Sequence, residues 1–130
     1  RHCKIERNRL IDKLNSYYVQ SIWLQFGSHI YQLEREINFL NKVIVNSQQF
    51  IDNEISIYGS LLIPSKQFLA RFNFRPWRGV YLSKKYLASL EESSRITKNI
   101  ADFYLNNSII PLIETELSTE KQFTEAQNFF

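Results

Sequence analysis

The stretch Trp23-Leu24-Gln25-Phe26-Gly27-Ser28-His29-Ile30-Tyr31-Gln32-Leu33-Glu34-Arg35-Glu36-Ile37-Asn38-Phe39-Leu40 opens a seven-residue repeat that can be counted to Tyr58. Its first positions are Trp23, Ile30, Ile37, Ile44, Ile51 and Tyr58, all apolar or aromatic. Its fourth positions begin with Phe26, Leu33 and Leu40 and then decay to Ser47 and Glu54. Apolar residues recurring every ~3.5 positions mark a coiled-coil seam or a helix laid along a bundle groove. The seam Ile30, Leu33, Ile37, Leu40 and Ile44 is thus expected to pack with a partner helix. An unbroken helix over residues 30–57 would run about 42 Å. That is long for one compact domain, and it points to a partner outside the chain.

Upstream, Ile11, Leu14, Tyr18 and Ile22 form a second stripe at helical spacing, out of register with Trp23 and Phe26, as a stutter would produce. Two arrangements fit. One is a single bent helix over residues 4–57. The other is a pair of helices broken at Gly27-Ser28, with Ser28 as a cap. The single helix is preferred because Trp23 and Phe26 hold the downstream register across the glycine. Tyr58-Gly59-Ser60 then closes it, glycine being common just past a helix end.

Residues 59–82 read as an irregular connector. Ser65 is placed to cap a short helix through Arg71, and Pro76 drives Arg75 out of helical backbone. A further helix is expected over residues 83–110, with Leu87, Leu90, Ile96, Ile100, Phe103 and Tyr104 inward. Pro111 either kinks it or opens the next helix. Thr119 and Gln122 have capping-box spacing within a short terminal helix at 112–128. Three glycines and three prolines in 130 residues are few for a fold that turns every 8–12 residues. The expected fold is therefore all-α: one domain of long antiparallel helices forming an elongated bundle or coiled coil, with an irregular basic connector.

Charge is distributed unevenly. Between Glu54 and Glu91 there is no acidic residue, while Lys66, Arg71, Arg75, Arg78, Lys84 and Lys85 fall in the gap. The net charge of +3 divides into +1 over residues 1–54, +6 over 55–90 and −4 over 91–130. Within the basic stretch, Arg71, Arg75 and Arg78 interleave with Phe72, Phe74 and Trp77. Guanidinium groups give planar, bidentate donors to carboxylate or phosphate. Aromatic faces stack on bases or on the arginines themselves. The partner-binding candidates here are Arg71, Phe74, Arg75, Trp77, Arg78, Lys84 and Lys85. The alternative is that the aromatic residues plug the core and the cations are merely solvated or pair with the acidic tail.

Signs of catalysis are missing from the sequence. Cys3 is the only cysteine, so no internal disulfide forms. His2 and His29 are the only histidines, too few for a metal site of characteristic spacing. No glycine-rich phosphate loop or nucleophile elbow is present. The carboxylate pairs Glu34/Glu36, Glu91/Glu92 and Glu114/Glu116 read as solvated helix faces. No cofactor is expected. No apolar run approaches the about 18 residues of a membrane span, and no signal peptide is evident. The sequence has no methionine, which fits a trimmed or processed product, a removed organellar transit peptide included. An intracellular protein of undefined compartment is expected.

Glu6-Arg7-Asn8-Arg9 through Ser16-Tyr17, followed by Tyr81-Leu82-Ser83 through Ile110-Pro111, resembles in part the helical domain of GINS replication-complex subunits. The resemblance implies a helical subunit and carries over no functional residue. Together these readings lead to a non-catalytic subunit of a larger multi-protein complex. It would pack through its seam and dock an acidic partner on the basic aromatic connector. The rival reading is a nucleic-acid-binding helical module using the same connector.

Overall fold

The computed structural model describes residues 2–16, 18–47, 55–114 and 119–129. Helices and strands are interspersed along these residues: α1 (His2–Ser16), β1 (Ser21–Leu24), α2 (Ile30–Asn46), β2 (Ser56–Leu61), α3 (Lys66–Phe74), α4 (Lys84–Ala88), α5 (Leu90–Asn106), β3 (Ile110–Ile113) and α6 (Glu120–Gln127). The strands form one sheet in the order β1-β2-β3, and β2 runs parallel to β3. The architecture is mixed α/β. This overturns the all-α reading and with it the elongated bundle, the coiled coil and the irregular connector.

The expected helix over residues 4–57 is interrupted at strand-forming runs. Ser21-Ile22-Trp23-Leu24 alternates between exposed and half-buried positions, as a strand with one covered face does. Ser56-Ile57-Tyr58 is rich in residues that favour strands. Trp23 and Tyr58, counted into the heptad, therefore stand on β1 and β2, and Phe26 follows β1. The helical part of the repeat is α2 alone, 17 residues or about 26 Å. Ile51 and Glu54 lie outside the described residues. Gly59 does not end a helix but sits within β2. Residues 83–110 form two helices and the start of a strand. Ser89, extended at φ −159° and ψ 162°, ends α4 and caps α5 by accepting the Glu92 N–H at 3.1 Å. Pro111 lies inside β3. Two local expectations hold: Ser65 caps α3, and Thr119 with Gln122 completes a capping box on α6.

The chain divides into two compact units, Arg1–Ile22 with Tyr31–Ser56, and Trp23–Ile30 with Ile57–Phe130. In the first, Leu14 of α1 and Ile37 and Leu40 of α2 are buried. Arg7 of α1 makes a two-point hydrogen bond to the Glu36 carboxylate at 3.0 and 3.1 Å. The same guanidinium lies 4.6 Å from the centre of the Phe39 ring.

The second unit buries Leu61, Leu62, Leu69, Phe72, Tyr86, Ile100, Tyr104 and Ile109. Its polar core groups are paired, as buried polar groups must be to avoid a desolvation penalty. The Tyr86 hydroxyl meets Thr97 Oγ1 at 3.2 Å and Leu62 O at 3.4 Å. Tyr104 donates to Ser60 O at 3.3 Å. Burial pushes both tyrosines up to about 12: for Tyr86 against the opposing Thr97 hydrogen bond, for Tyr104 with added effect from the Glu114 charge.

Candidate functional site

Helix α3 and the turn after it carry the candidate residues. Ser65 starts the helix by accepting the Phe68 N–H at 3.0 Å. Leu69 and Phe72 turn into the core, and helical periodicity sends Phe74 to the opposite face. Phe74 is 92% exposed. Arg75 leaves helical backbone at φ −139° while its N–H still bonds Arg71 O at 2.8 Å. The chain then turns through Gly79, whose φ of +86° is costly for any residue with a Cβ.

Arg75 and Arg78 are exposed and form no ion pair among the described residues. Lys84 is exposed likewise. Lys85 approaches Glu92 at 3.7 Å. Glu92 also takes Arg95 at 2.9 Å, and that hydrogen bond chiefly holds its carboxyl below the ordinary value. Acid from outside the basic stretch thus reaches Lys85.

Trp77 stands apart from the arginines in character. Its ring meets Phe68 edge-on at 5.4 Å and Phe72 at 6.3 Å, and it keeps 42% of its surface exposed. It is fixed in an aromatic cluster and not free to swing. Behind it opens a cleft of about 290 Å³, bounded by the loop 62–65, α3, Trp77 and α6. Arg71 lines this cleft.

One wall of the cleft belongs to a polar network that sequence reading did not find. Trp23 Nε1 donates to Ser60 Oγ at 2.6 Å, and Ser60 Oγ donates to Glu114 Oε1 at 2.7 Å. The Glu114 N–H bonds Leu61 O at 2.8 Å. The chain of bonds ties β1, β2 and the end of β3 together across the sheet. Its members lie 37 and 54 positions apart, so no local motif announces them. The contribution of α6 to the cleft was equally hidden, although the capping box that starts α6 was readable.

The seam residues divide differently from expectation. Ile37 and Leu40 are buried within the chain, while Ile30, Leu33 and Ile44 are half-buried. Among the described residues no group of three or more His, Cys, Asp or Glu could hold a metal. No described helix is long and apolar enough to cross a membrane.

No protein-family model, curated protein or solved structure matches this chain. None of these comparisons supports the partial likeness to the GINS helical domain. The second of its two segments runs into β3, where the resemblance implied a helix ending near proline.

Proposed function

We propose that this chain is a non-catalytic interaction module that docks an acidic protein partner on the surface formed by α3 and the turn following it. The observation that carries this reading is Phe74, 92% exposed, the last residue of the acid-free helix α3 and directly followed by Arg75. A large exposed apolar side chain among exposed cations is poor for solubility and favourable for a complementary interface, where aromatic and arginine anchors dominate binding. Arg75 and Arg78, exposed on the turn, supply the charge. Residues 55–90 carry six cations and no acid of their own, and such a local excess of positive charge steers an anionic partner.

Trp77 meets Phe68 and Phe72 in edge contacts and keeps 42% of its surface exposed, so it forms a braced aromatic shoulder beside the arginines. The test is affinity capture of the tagged chain from its native cells, at low and high salt, with and without nuclease, beside the variant Arg75→Glu/Arg78→Glu. Near-stoichiometric protein partners that resist nuclease and are lost in the variant support the proposal. Partners that vanish with nuclease overturn it in favour of nucleic-acid binding. An unchanged partner list in the variant removes this surface from consideration.

A further inference from the structure

We infer that the cleft between α3 and α6 seats one apolar side chain of that acidic partner. The partner is then a segment with a leucine or aromatic anchor flanked by aspartate or glutamate. This inference rests on the docking reading above and adds a recognition element to it.

The cleft has the character of an anchor pocket. Its apolar walls include Ile63, Pro64, Phe68, Trp77, Ala126 and Phe129, and its volume of about 290 Å³ has room for a large apolar side chain. The walls are held in place. Phe68 is braced by Trp77 at 5.4 Å and by Phe72 at 5.9 Å. The Lys98 ammonium lies 5.2 Å from the centre of the Phe129 ring. Preformed walls spare a ligand the cost of ordering them.

The rim gives the segment a direction. The α6 side carries Glu125, paired with Lys121 at 3.8 Å, and the end of β3 carries Glu114, engaged by Ser60. The α3 side carries Arg71 and leads into Arg75 and Arg78. Acidic residues of the segment are repelled by the first side and drawn to the second. An anchor in the cleft with its acidic flank lying over the α3 turn satisfies both. Charge of this arrangement also keeps a basic flank off the α3 turn.

The experiment is a selection of random peptides displayed on phage against the full chain, followed by anisotropy titration of the enriched peptides. The expected result is enrichment of segments that combine acidic residues with one large apolar residue. Replacing that residue by alanine is expected to weaken binding at least about tenfold. The variant Ala126→Leu, which fills the cleft, and the variant Phe129→Ser, which removes a wall, should each weaken the anchored peptide and leave its alanine form unaffected. Either variant suffices if the other fails to fold by circular dichroism. Acidic peptides that bind equally with and without the anchor, and are lost in Arg75→Glu/Arg78→Glu, overturn the cleft while keeping the docking surface. Enrichment of peptides without acidic residues, or of none, overturns both. Tighter binding of a single-stranded oligonucleotide at the same arginines also overturns both.

Discussion

Gly59 lies directly beneath the Tyr104 ring, and a Cβ at that position would collide with the ring atoms. The ring is fully buried and its hydroxyl is bonded to Ser60 O, so it is not free to move aside. Gly59→Ala is expected to cost about 1–3 kcal/mol, as overpacking in a dense core does, read as a lower urea midpoint. The same core sets a pH response. Tyr86 and Tyr104 are raised from 10.0 to about 12 in the folded chain. Between those values the unfolded chain has lost protons that the folded chain retains, so stability falls as pH rises. The contribution is complete below pH 10 and is lost through about pH 12, on the order of 2 kcal/mol for each tyrosine. Urea midpoints from pH 8 upward should be flat and then fall, and Tyr86→Phe should lessen the fall. Phe74 makes the opposite case. Phe74→Ser should move stability by no more than about 0.5 kcal/mol, while partner capture is lost. A large loss of stability there would place Phe74 in the core and remove it from the docking surface.

At the scale of elements, β3 is the exposed edge of the sheet, and its proline has a role there. The Glu114 N–H points to β2, so strand alternation turns residues 110, 112 and 114 towards β2 and residues 111 and 113 outward. Pro111 thus removes one N–H from the free edge, a common way to discourage edge-to-edge pairing. Pro111→Val should leave the β2–β3 ladder intact and increase self-association, measurable by light scattering across a concentration series. The elements also show where sequence reading succeeds. Caps are local chemistry, so Ser65, Thr119 and Gln122 could be read directly. The strands were read as helix because Trp23, Phe26 and Tyr58 happen to fall at heptad intervals with α2. A short apolar run has no period of its own that separates strand from helix. Pro111 misled for a related reason, since both a helix start and an outward-facing edge position tolerate its missing N–H.

For the whole molecule, the charge partition was legible from composition, because acid-free sequence stays acid-free however it folds. That is why Arg75, Arg78 and Phe74 could be singled out in advance and are found exposed. The cleft was not legible, since its walls come from the loop after β2, from α3 and from α6, and only folding brings these together. If the docking surface works through charge around an apolar anchor, raising salt should slow partner association more than it speeds dissociation. Surface plasmon resonance separates the two rates, and a salt effect confined to dissociation would contradict this.

The parallel pairing of β2 with β3 joins Tyr58 to Ile110, 52 positions later. Closing so long a loop costs entropy before any contact repays it, so sheets of this topology form late. The helices can assemble from neighbouring residues, but the sheet must wait for a distant segment to arrive. A chain emerging from the ribosome therefore has its basic surface early and its cleft only after residues 110–129 have been made. Until then, partners would meet charge without an anchor.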